Sequence, residues 1–116
     1  MVSALGREIL KRIYRYADVL HCEPIEKTAE EFIAMREIRP GSFDNVGRCK
    51  YTVPDYWTIG EVYERLIEDV SGDNVITTLE EVYSSWISDS ISDFNSDFFY
   101  QPRDYIAACY QEGEIL

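Results

Sequence analysis

The sequence holds a single histidine, His21, and after Lys50 only two basic residues, Arg65 and Arg103. The first scarcity excludes sites built on clustered imidazoles. The second leaves the carboxy-terminal half with two cations against fourteen acids, too few to neutralise phosphate, so direct nucleic-acid binding is not expected. Three cysteines, Cys22, Cys49 and Cys109, form no C-x-x-C pair, which removes a zinc knuckle and a disulfide framework and leaves free, mostly buried thiols. A thiol–imidazole dyad would have to bring Cys49 or Cys109 to His21 across the fold, since the adjacent Cys22 is poorly placed to face it. No apolar run approaches the roughly 18 to 20 residues of a membrane span. The amino terminus carries Arg7, Glu8, Lys11 and Arg12 where a signal peptide needs a hydrophobic stretch, so the expected location is the cytoplasm, away from membrane. Gly-rich phosphate loops, H-E-x-x-H helices and G-x-S-x-G elbows are all missing, and no catalytic residue, metal ligand or cofactor is assigned.

What is present is apolar mass and acid. With 116 residues, 46% of them hydrophobic, the chain suits one globular domain spanning 1–116. The net charge of −11 is unevenly placed. Residues 1–50 hold nine Lys/Arg against eight Asp/Glu, whereas residues 51–116 hold two against fourteen. Such a surface repels anions and steers cationic partners over long range; plain solubility is the competing explanation.

Periodicity predicts a mainly all-α fold, a bundle of about five helices. In "ALGREILKRIYRYADVL", Leu5, Ile9, Ile13, Tyr16, Ala17 and Leu20 share a face, with Arg7, Lys11 and Arg15 on another. A second helix is expected over 25–38, with Ile25, Ala29, Phe32 and Ile33 inward and Thr28/Glu31 as an alternative capping box. Residues 39–57 break the pattern. Pro40, Gly41, Gly47 and Pro54 punctuate a long irregular connection with room for a short strand or hairpin at Cys49–Val53. Thr58 with Glu61 reads as the capping box of a third helix, whose stripe Ile59, Val62, Tyr63, Leu66, Ile67 and Val70 should end on a left-handed Gly72. A fourth pattern runs from Asp73 through Ile76, Val82, Trp86, Ile87, Ile91, Phe94 and Phe98, as one helix or as two broken near 88–95. The last helix opens at Gln101-Pro102, turns Tyr105, Ile106, Cys109 and Tyr110 inward and stops near Gly113.

The stretch "SDSISDFNSDFF", Ser88–Phe99, repeats Ser-Asp every four residues. Asp93, Asn95 and Asp97 match the first ligand positions of an EF-hand loop, but Phe98 stands where the turn requires glycine and Asp104 where a bidentate Glu is needed. The alternative is a helix whose flank carries Glu81, Asp89, Asp93 and Asp97. Like charges four apart do not help a helix, so the ridge is either offset within the molecule or kept for a partner.

The function expected from charge and size is a small acidic interaction protein that binds a basic protein partner, in the manner of immunity proteins, antitoxins or inhibitors. Its contact residues would be Glu81, Asp89, Asp93 and Asp97 for steering, with Tyr83, Tyr100, Tyr56 and Trp57 as anchors. The alternatives are a small-molecule enzyme with its site near the 39–57 connection, or a homo-oligomeric scaffold whose aromatic helices pair with a second copy.

Overall fold

The computed structural model describes residues 2–16, 25–39, 41 and 43–116. His21, Cys22, Pro24, Pro40 and the expected continuation of the first helix through Ala17 and Leu20 lie outside the described residues. Among the described residues every regular element is helical and no strand forms. The chain divides into two compact units, Met1–Ser42 and Phe43–Leu116.

In the first unit the expected amphipathic helix is two: α1, Val2–Leu5, and α2, Arg7–Arg15. They part at Gly6, whose φ of 81° is a conformation open to glycine and strained for other residues. Leu5, Ile9 and Leu10 are buried, Ile13 is half-buried, and Tyr16 is exposed against expectation. Helix α3, Ile25–Met35, buries Phe32 but leaves Ile33 exposed. It ends three residues before the predicted Ile38. There the Ile38 N–H donates to the Ile33 carbonyl at 2.9 Å and the Glu37 N–H to the Ala34 carbonyl at 3.3 Å. That pair of bonds closes a Schellman turn, with Glu37 at φ 51° where glycine is usual.

The second unit holds the larger core. After a one-turn helix α4, Asn45–Arg48, the chain runs irregularly to α5, Tyr56–Val70. The Asp55 carboxylate caps α5 by accepting the Thr58 N–H at 2.8 Å. The helix therefore starts a turn earlier than the Thr58–Glu61 box predicts, and Glu61 pairs with Arg65 at 3.3 Å instead. Its stop is where expected but by another route: Ser71 leaves in extended conformation and Gly72 has no positive φ. The stripe of α5 buries Tyr63, Leu66 and Ile67 against α6, Val75–Tyr83, and α8, Arg103–Glu112.

The fourth pattern is broken twice. Asn74 caps α6 through the Thr77 N–H. Ser85 ends the run, since its hydroxyl donates to the Val82 carbonyl at 2.7 Å and draws the backbone out of the ladder. Helix α7, Trp86–Ser92, follows, and then Asp93 turns the chain by accepting the Asn95 N–H at 3.1 Å. A 3₁₀ turn, Phe98–Tyr100, leads to α8, which closes on a left-handed Gly113 at φ 79°. Val82, Ile87, Ile91 and Leu66 are almost completely buried with Cys109 and Phe98 around them. Each aliphatic burial of this kind stabilises by roughly 1.5–3 kcal/mol, which offsets the weak helix propensity of the serine-rich segment.

Candidate functional site

The connection expected to hold a strand is held down by side-chain amides. A strand needs a partner ladder, and helices flank this segment. Asn95 supplies the ladder's two bonds itself: its Oδ1 accepts the Lys50 N–H at 2.7 Å and its Nδ2 donates to the Arg48 carbonyl at 2.9 Å. Asn45 Nδ2 donates to the Ser92 carbonyl at 3.1 Å, and the Cys49 thiol points to the Tyr51 and Phe94 carbonyls. Asn95 is thus committed to backbone, and the described residues contain no group of His, Cys, Asp and Glu arranged to hold a metal ion.

Two depressions flank this strap and meet at Phe94. The larger, about 610 Å³, lies between Asn45, Val46, Pro54 and Asp55 on one side and α5–α7 on the other. Tyr63 and Tyr83 stack in its wall with ring centres 4.2 Å apart and planes 9° from parallel. The Tyr63 hydroxyl shares a 2.9 Å hydrogen bond with Ser88 Oγ and lies 3.5 Å from Ser92 Oγ. These serines, the first halves of two Ser-Asp pairs, turn inward and satisfy a phenol that would otherwise be buried without a partner. Burial, aided by the neighbouring Tyr63, pushes the Tyr83 phenol up to about 12, although 36% of the residue remains exposed. Tyr56 completes the rim and contacts Trp57 at 5.6 Å between ring centres. The second depression, about 460 Å³, is lined by Tyr51, Phe94, Ser96, Asp97, Phe99 and Tyr100.

The residues expected to meet a partner are only partly brought together. Tyr56 and Tyr83 share the larger depression, and Asp97 and Tyr100 share the smaller. Glu81, Asp89, Asp93 and Asp97 are exposed but fall on α6, α7 and the turns that follow, so they form no continuous helix flank. Glu81 lies near Tyr110 of α8, whose phenol is raised by burial and by that carboxylate. Trp57 is 55% and Tyr100 82% exposed, large rings left in solvent.

The 43–116 unit contains four Lys/Arg and fifteen Asp/Glu, the whole of the chain's −11. Two of its four cations are engaged internally. Arg65 pairs with Glu61, and Arg103 spans to α5 through Asp69 at 2.7 Å and Glu68 at 3.5 Å. The guanidinium holds the Asp69 carboxyl below its usual range, first by hydrogen bonding and then by charge. A third, Arg48, lies 5.8 Å over the Phe43 ring.

Sequence reasoning missed Asn45, Asn95, Ser88 and Ser92 as site builders. Their partners lie 25 to 47 residues away in the chain, and neither the four-residue Ser-Asp beat nor an isolated Asn points to a distant partner. Tyr63 was visible only as part of the α5 stripe. No protein-family profile, curated protein or solved structure matches this chain.

Proposed function

We propose that the 43–116 unit is a docking module for a basic protein, with exposed tyrosine and tryptophan side chains as its anchors. One observation carries the reading: the unit holds all of the net charge of −11, with two of its four cations tied into ion pairs within the same unit. An excess of this size raises the encounter rate with a cationic surface and disfavours anionic ones. Tyr56, Trp57 and Tyr100 offer large, partly polar contact area at modest loss of side-chain freedom. The activity that follows is occlusion or escort of the partner.

The test begins with the immobilised full chain and a low-salt lysate. A retained protein is purified and its association rate measured as ionic strength rises from about 0.05 to about 0.5 M. The expected partner is basic, and its association slows at least about tenfold over that range. A retained set no more basic than the lysate, or a rate indifferent to salt, overturns the reading. Replacing Tyr56 and Trp57 together by Ala should speed dissociation and leave the salt slope of association in place.

A further inference from the structure

We infer that the larger depression is an arginine pocket, which takes one guanidinium side chain of the basic partner between Tyr56, Tyr83 and Phe94. The inference rests on the docking reading above and gives it an address. Three features of the same pocket point to a flat organic cation. Its walls are rich in aromatic rings, with Tyr63 stacked behind Tyr83 at 4.2 Å so that one face of Tyr83 is covered while the residue stays 36% exposed. Aromatic faces attract cations, and a planar guanidinium stacks on them as an ammonium cannot. Among the described residues the only charged one in its lining is Asp55, an acid, and neither Lys nor Arg contributes to it. The Thr58 N–H holds that carboxyl below its usual range, which favours the charged form. The polar groups of the floor can serve guanidinium N–H donors: Ser88 Oγ shares its 2.9 Å bond with Tyr63 and retains acceptor capacity.

A neutral apolar occupant would fit the rings but would make no use of the exposed Asp55 carboxylate in the lining, in a unit of net −11. A nucleotide or other anion is opposed by the same charge. The volume, about 610 Å³, exceeds that of one side chain and leaves room for the flanking backbone of the segment that presents it.

The experiment uses the full chain and three short capped peptides that differ at one position, Arg, Lys or the neutral isostere citrulline. Ring and amide NMR shifts are followed through each titration. The expected result is binding in the order Arg, Lys, citrulline, with the largest shifts at Tyr83 and Phe94. Tyr56→Ala, at a rim position 53% exposed and outside the core, should weaken the Arg peptide about fivefold, and Tyr83→Leu about tenfold. Asp55→Asn keeps an efficient helix cap and should reduce the preference for Arg over citrulline. Equal affinity for Arg and citrulline, or shifts centred elsewhere, overturns the pocket. The salt dependence of the captured basic protein is measured on the same preparations. If it persists while the peptides fail to discriminate, the pocket falls and the docking reading stands; if both are lost, the docking reading falls with it.

Discussion

Replacing Asn95 by Ala removes the side chain that satisfies both the Lys50 N–H and the Arg48 carbonyl of the strap, through bonds of 2.7 and 2.9 Å. A neutral hydrogen bond contributes about 0.5–1.5 kcal/mol net, so the pair is worth about 1–3 kcal/mol. Asn95 and Lys50 are exposed, and water can replace part of what is lost, which places the expected cost near the lower half, about 1–2 kcal/mol. That loss belongs to the strap and leaves the core of Leu66, Val82, Ile87 and Ile91 untouched. Hydrogen exchange at the Lys50 amide should therefore quicken about 5- to 30-fold while amides in α5 keep their protection. Asn95→Asp sharpens the test. Its carboxylate still accepts from Lys50 but sets an acceptor against the Arg48 carbonyl, so it should open the strap at least as far as Ala does. Unchanged Lys50 exchange in both variants would show that Asn45 and Cys49 hold the strap alone, and the amide-clamp argument would be wrong. Because Val46 and Pro54 of the strap wall the larger depression, a loosened strap should also weaken binding of the Arg peptide.

Arg103→Gln should lower the melting temperature at neutral pH, because the bond from Arg103 keeps Asp69 ionised below its usual range. A depressed carboxylate contributes stability above its unfolded value of 3.8 and loses it as pH falls through the folded value. The gap between wild type and variant must therefore shrink in acid; a gap constant from about pH 7 to about pH 2 refutes the pairing. Glu37→Gly should stabilise the first unit by about 0.5–1 kcal/mol in urea unfolding, since glycine occupies φ 51° without strain; a loss of stability would mean that the Schellman turn is not formed. Tyr83, raised to about 12, should appear as a late step in the tyrosinate absorbance titration. The stability tied to its neutral form is full below the ordinary value of 10.0 and lost as pH rises through about 12, so Tyr83→Phe should remove both the step and that alkaline loss.

The helices were legible because buried apolar residues recur at helical spacing: Tyr63, Leu66 and Ile67 in α5, and Ile106 and Cys109 in α8. Helix ends were less so, because several residues compete for each cap. Asp55 outbids Thr58 as the acceptor that starts α5, and Pro54 keeps Val53 out of the helical region, so the helix cannot begin earlier than the residues that follow it. The β-branched alternation of Cys49–Val53 describes an extended backbone correctly at Cys49, but extension becomes a strand only beside another strand. The candidate site was half legible. Exposed rings and acids can be counted in a sequence, whereas the strap that brings Val46 and Pro54 to the depression of Tyr56 and Tyr83 depends on amide contacts 45 and 47 residues apart.

The Ser-Asp repeat divides its labour by residue type, and that division yields an opposed pair of expectations. Ser88 and Ser92 face inward to Tyr63, and Asp93 and Ser96 make turns through the Asn95 and Phe98 N–H groups. Of Asp89, Asp93 and Asp97 only Asp93 joins these contacts, through one carboxylate oxygen, and among the described residues none of the three is in an ion pair. An amide oxygen can accept at Asp93 as a carboxylate does, so changing all three to Asn keeps the turn and removes mutual repulsion. Urea stability should be unchanged or raised, while association with a basic partner slows and its salt slope flattens. Were the charges structural, the two readouts would fall together; if association were indifferent, the steering role of these carboxylates would be lost.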